Sequence, residues 1–176
     1  VAPDGTVLLD ELFSGRLNDI VALPRGGSET HPYLATPADE TGAQVSPDGR
    51  FVAYASDTSG RREIYVDGFP EHRELRRVST DGSDGSIWWR DDGRELLFLA
   101  SNGRSVLACD VTMSPNMQIG GPRVVFEGPA DATIVPAPAR SAPRTVLSSE
   151  NDFLMCGHTL NGAVVVTSSP CSGTSP

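Results

Sequence analysis

Pro3-Asp4-Gly5 returns as Pro47-Asp48-Gly49 and again as Asp91-Asp92-Gly93, each copy 44 residues after the last. Other landmarks keep the same beat. Ile20 in Asp19-Ile20-Val21-Ala22-Leu23 matches Ile64 in Glu63-Ile64-Tyr65-Val66, and Leu34-Ala35-Thr36 matches Val78-Ser79-Thr80. A period of roughly 40–50 residues is the length of a four-stranded propeller blade. Each such unit can bury its faces only against its neighbours, so the repeat dictates the architecture. The expected class is all-β: a β-propeller segment of about three to four four-stranded antiparallel blades.

The chemistry around each turn supports strands. Ser46-Pro47-Asp48-Gly49 supplies a turn-favouring Ser, a Pro that presets φ, and a Gly where the backbone must turn left-handed. That is the recipe for a type I turn closed by a glycine bulge, a common hairpin connection. Ala43-Gln44-Val45 and Phe51-Val52-Ala53-Tyr54-Ala55 flank it, and Ile87-Trp88-Trp89 and Glu95-Leu96-Leu97-Phe98-Leu99 flank the next copy. The second strand of each pair is apolar on both faces, as a strand covered from both sides should be. Third strands are expected at Asp19–Leu23, Glu63–Asp67 and Ser105–Val111, and a more polar edge strand at Glu74–Ser79.

On this pattern residues 1–127 hold three repeats, the first lacking its first strand. Residues 128–145, rich in Pro and Ala, read as an extended connection. Residues 146–167 form a degenerate fourth repeat, with Asn151 in place of the turn glycine and Val164–Thr167 as a last strand. Residues 168–176 read as a disordered tail. The chain opens inside a turn, which is expected of a piece of a longer protein.

Aspartate and glutamate number 23 against 14 basic residues, all arginine, for a net charge of −9. A nucleic-acid binder would need a cationic face, so that class is set aside. No apolar run approaches the ~20 residues of a membrane helix, so no membrane insertion is expected in this segment. Cys109, Cys156 and Cys171 are odd in number and widely spaced, and give neither a disulfide framework nor a metal motif.

The stretch from His31 to Glu127 resembles TolB-like β-propeller repeats, relatives of the WD repeats without their Trp-Asp dipeptide. It is most similar to the propeller that follows the catalytic domain in bacterial membrane-bound Ser/Thr protein kinases. The pieces that carry this are Val45-Ser46-Pro47-Asp48-Gly49-Arg50, Asp57-Thr58-Ser59-Gly60-Arg61, Glu63-Ile64-Tyr65-Val66, Trp89-Arg90-Asp91-Asp92-Gly93-Arg94-Glu95-Leu96 and Pro122-Arg123-Val124-Val125-Phe126. The resemblance implies a non-catalytic sensing or protein-interaction module, extracytoplasmic if attached to a membrane kinase. It also implies that further blades or a second copy cover the open edges. The alternatives are the propeller of a prolyl-oligopeptidase-type serine hydrolase and a periplasmic TolB-like scaffold.

The chain itself carries no kinase catalytic loop, phosphate loop or nucleophile elbow, so no catalytic residue and no cofactor are expected. Gly82-Ser83-Asp84-Gly85-Ser86 has the wrong spacing for an elbow and reads as a solvated loop between blades. Cys156 and His158 lack partners at zinc-site spacing, so no metal is expected. His31 and His72 read as solvated loop residues. Arg61 and Arg62 are candidates for an anionic partner, although arginines here have Glu63, Glu71 and Glu74 close by to pair with.

Trp88 and Trp89 must point to opposite faces of their strand. Trp89 aligns with Val45 and is expected in the core between blades, whereas Trp88 aligns with polar Gln44. Trp88 is therefore the candidate for the channel or a mouth of the ring, with a cover by a neighbouring loop as the other possibility.

Overall fold

The computed structural model describes residues 1–12, 17–112, 117–128, 132–136, 156–160 and 163–167. These residues are organised in antiparallel sheets with no helix among them. The first sheet comprises β1 (Val7–Leu12), β2 (Asn18–Leu23) and β3 (His31–Leu34) in that order. The second is β4 (Glu40–Val45), β5 (Phe51–Ser56), β6 (Glu63–Gly68) and β7 (Arg76–Arg77). The third runs β8 (Ser83–Trp89), β9 (Glu95–Ala100) and β10 (Ser105–Thr112), with β11 (Gln118–Ile119) and β12 (Arg123–Glu127) both pairing β10. A fourth sheet places β15 (Ala163–Thr167) between β13 (Ala132–Pro136) and β14 (Cys156–Leu160).

The sequence repeat is a spatial repeat. Gly5, Gly49 and Gly93 all have positive φ, at 92°, 74° and 68°. Each donates its N–H three residues back, to the carbonyls of Ala2, Ser46 and Arg90. Asp4, Asp48 and Asp92 each accept the N–H two residues on, from Thr6 (2.8 Å), Arg50 (3.2 Å) and Arg94 (3.0 Å). That side-chain turn explains why the aspartate survives in the third copy where the proline does not. The copies also touch, for a Cβ on Gly49 would lie 3.0 Å from Cγ of Pro3.

Burial follows the same period. Val52 and Tyr54 of β5 face the first sheet, packing with Ile20, while Ala53 and Ala55 face the third with Ile87, Trp89, Leu96 and Phe98. One repeat later Leu96 and Phe98 stand where Val52 and Tyr54 stood, facing the preceding sheet. Leu97 and Leu99 point away from it, packing with Trp88, Val106 and Ala108. Continuously apolar strands are thus the signature of sheets stacked face to face.

Some expectations need correction. The segment Gly82 to Ser86 is not a solvated loop: Ser83 is buried, its hydroxyl donates to the Leu99 carbonyl at 2.6 Å, and β8 begins there. A register shift between Ser83 and Ile87 lets the strand accommodate Gly85, at φ 101°. The edge strand expected over Glu74–Ser79 is reduced to β7, because Val78 and Ser79 turn inward and are buried. Within the stretch read as a connection, Ala132–Pro136 pairs with β15 as β13. The turn at Asn151, Cys171 and residues 168–176 lie outside the described residues.

Candidate functional site

The β3–β4 connection, the start of β2 and the β5–β6 turn converge at one end of the first two sheets. Asp39 ties them together. Its Oδ1 accepts the backbone N–H of Asn18 at 2.9 Å and the Asn18 side-chain amide at 2.7 Å. Its other oxygen pairs with Arg62, and its own N–H donates to Asp57 at 2.9 Å. The Asn18 backbone N–H, more than any other contact, holds the Asp39 carboxyl below the usual carboxylate range, with the Asn18 amide and the Arg62 charge adding to it.

Beside this tie opens a cleft of about 480 Å³, lined by Leu17, Asp19, Ala35, Thr36 and Pro37. Behind Thr36 lies Glu40, which is 1 % exposed. The Thr36 hydroxyl donates to one Glu40 oxygen, its N–H reaches the other at 3.4 Å, and the Ser56 hydroxyl adds a 3.5 Å contact. Burial pushes the Glu40 carboxyl up, and the charge of Asp19 pushes the same way against the Thr36 bonds. The cleft therefore carries one carboxylate, Asp19, with the buried Glu40 carboxyl behind Thr36. Among the described residues no cluster of side chains could hold a metal ion.

The arginines singled out in the sequence have internal partners here. Arg61 pairs with fully buried Glu63 at 2.6 Å and donates to the Thr80 carbonyl. Arg62 pairs with Asp39 and reaches the Thr41 hydroxyl at 3.2 Å. Trp88 is 8 % exposed, packed against Leu97, Leu99, Val106 and Ala108 on the face opposite Trp89. The turn residues Pro47, Asp48 and Gly49 join β4 to β5, Asp91, Asp92 and Gly93 join β8 to β9, and Pro3, Asp4 and Gly5 lead into β1; none of them lines the cleft.

His72 also differs from its sequence reading. It is not simply solvated, because Nδ1 lies 2.9 Å from Asp67 Oδ2 and Nε2 lies 3.0 Å from the Tyr33 carbonyl. One signal could have found this group: Asp67 stands where the neighbouring repeats carry Leu23 and Val111. Glu40 gave no such signal, since the 44-residue shift sets it against another acidic residue, Asp84.

No family model matches the chain. A stretch of 67 residues, 37 % of the chain, is 34 % identical to dipeptidyl aminopeptidase BI from Pseudoxanthomonas mexicana and covers 9 % of that protein. The solved structure of TolB from Acinetobacter baumannii superposes over 94 % of the chain and 41 % of its own, at 16 % identity and a TM-score of 0.54. An auxiliary nutrient binding protein from Bacteroides thetaiotaomicron does so over 92 % of the chain and 44 % of its own, at 17 % identity and a TM-score of 0.56. The chain thus spans less than half the length of each of these proteins. The 44-residue sheets, stacked face to face, and these superpositions agree: the chain has the β-propeller fold of TolB-like proteins.

Proposed function

We propose that this chain is a non-catalytic recognition module of a larger protein, taking its partner at the end of the sheets where the Asp19–Thr36 cleft opens. The cleft carries this reading: it opens between the start of β2 and the β3–β4 connection, beside a buried carboxyl that Thr36 holds by hydrogen bonds. A neighbour of the same fold is named as a nutrient binding protein, which supports a binding role. The larger protein is read as a membrane Ser/Thr kinase, from the resemblance of the repeats, with the propeller outside the cytoplasm. A propeller attached to a serine peptidase is the second reading, favoured by the 34 % identical stretch of the dipeptidyl aminopeptidase.

A thermal-shift screen of small ligands tests the site. A ligand that raises Tm should lose its effect in Asp19→Asn and Thr36→Val and keep it in Arg104→Ala, which is remote in sequence from the cleft. Shifts that survive both cleft substitutions would place recognition elsewhere. Coding sequence on either side decides the parent: an upstream kinase catalytic loop followed by one membrane helix, or a downstream Gly-x-Ser-x-Gly.

A further inference from the structure

Tyr33 on β3 belongs to the first sheet, and His72 lies in the β6–β7 loop of the second. Their rings pack with centroids 4.7 Å apart, Phe69 lies 5.5 Å from Tyr33, and the Tyr33 hydroxyl donates to the Gly68 carbonyl at 3.3 Å. The imidazole bridges the two sheets, with Nδ1 at Asp67 and Nε2 at the Tyr33 carbonyl. A peptide carbonyl can only accept, and so can an ionised carboxylate. Both ring nitrogens therefore face acceptors. A neutral imidazole has one N–H and one lone pair, so it can make only one of these bonds.

The acceptors are fixed independently of the ring. Asp67 Oδ1 already accepts the N–H groups of Gly68 (2.7 Å), Arg73 (3.1 Å) and Glu74 (3.0 Å), which leaves Oδ2 for His72. Tyr33 sits at the register shift of β3, held between Pro32 and Leu34, which pair with Val21 and Ile20 of β2. Neither can turn away when the ring loses a proton, so the contact that fails is Nε2 against the Tyr33 oxygen, lone pair against lone pair.

We propose that His72 is a proton-operated clasp between the first two blades, closed when the ring carries both protons and released at the Tyr33 side when it carries one. Asp67 on β6 and Tyr33 on β3 are the ionisable residues that touch the ring; Tyr54 on β5 also feels the Asp67 charge, and Glu71, Arg73 and Glu74 share the ring's own loop. Glu71 and Arg73 pair with each other. Neither His72 nor Tyr33 lines the cleft, and the clasp does not depend on the cleft having a ligand.

Histidine-labelled full-length chain followed by NMR across a pH range of about 5 to 8 is the test. As the His72 Nε2 signal changes from its protonated to its lone-pair shift, the Tyr33 and Phe69 ring signals should move with the same midpoint. That step should vanish in His72→Gln and persist in His31→Gln. Ring signals of Tyr33 and Phe69 that stay flat while His72 titrates would overturn the proposal, as would a step that survives in His72→Gln. The wild-type comparison of midpoints decides on its own if either variant fails to fold.

Discussion

The indole N–H of Trp89 donates to the backbone carbonyl of Gln44 at 3.0 Å, joining the first strand of one blade to the first strand of the blade before it. The ring fills the space between those sheets with Phe98, Leu96 and Ile87 around it. Trp89→Ala should cost about 3–5 kcal/mol from the cavity it leaves. Trp89→Phe keeps most of the area but strips the Gln44 carbonyl of its donor, at a cost of about 1–3 kcal/mol. Denaturant midpoints of the two variants check both figures.

Trp88 should respond in the opposite sense to the Phe substitution. Its ring is buried, so Trp88→Ala is expected to cost about 3 kcal/mol, more than a channel-facing position would. Its indole N–H, however, is buried with no partner among the described residues. Trp88→Phe removes an unsatisfied donor and should be neutral or stabilising. Measuring the two Phe variants side by side separates the roles of the adjacent tryptophans.

That pair also shows what the sequence made legible. The 44-residue shift placed Trp89 correctly between sheets, because alternation along a strand is a matter of backbone geometry. It left open how covered Trp88 is, because Gln44 at the equivalent position is exposed while Trp88 has the side chains of β9 and β10 beneath it. Period fixes which face a residue takes, whereas what lies on that face is decided by side chains of other strands. The cleft and the Asp67–His72–Tyr33 group were hidden for the same reason: Asp19 and Thr36 are 17 residues apart, and His72 and Tyr33 are 39 apart. Neither separation matches the repeat.

Acid should weaken the fold through the turns. Asp4, Asp48 and Asp92 are all held below the usual carboxylate value. In Asp4 and Asp92 the cause is chiefly the backbone N–H two residues on, whereas in Asp48 burial opposes and the Ser46 and Arg50 bonds prevail. Groups with lowered values in the folded state stabilise it above their unfolded value of 3.8, and that stabilisation is lost as pH falls through the lower folded values. Tm should therefore fall steadily below pH ~4, and less steeply in Asp48→Asn. An unchanged slope in that variant would clear the turn of responsibility.

Glu40 runs the other way. Burial raises its value above 4.5, so the folded state prefers it protonated, and its contribution is complete below 4.5 and declines as pH rises through the folded value. Glu40→Gln keeps a neutral side chain with both a donor and an acceptor facing Thr36 and Ser56. It should raise Tm near neutral pH and lose that advantage in acid. A variant less stable at neutral pH would show that the ionised carboxyl is the form the site holds.

Cys109 sits in the core between the second and third sheets with none of its surface exposed, and burial pushes its thiol up to about 11. The thiolate is the reacting species, so modification needs both opening and deprotonation. In a Cys156→Ser, Cys171→Ser background, thiol labelling of the native chain should be slow and accelerate sharply with denaturant. Labelling at the rate of a free peptide would mean that the joint between these blades opens readily.

Two glycines separate backbone freedom from close packing. Gly60, in the β5–β6 turn, has φ 90° and nothing within 4 Å of where a Cβ would stand. Gly60→Ala should therefore cost only the left-handed backbone, about 1–2 kcal/mol. Gly68, at the end of β6, has no positive φ in its favour, but a Cβ there would come within 2.6 Å of the Glu71 carbonyl and 3.3 Å of the Arg73 nitrogen. These are backbone atoms of the loop that carries His72, so they cannot swing aside. Gly68→Ala should destabilise by about 1–3 kcal/mol through overpacking and displace the loop from Asp67. The His72 and Tyr33 signals should shift in Gly68→Ala and stay in place in Gly60→Ala. If Gly68→Ala leaves them unmoved, the loop has room that the 2.6 Å approach denies it, and its hold on the imidazole comes from Asp67 alone.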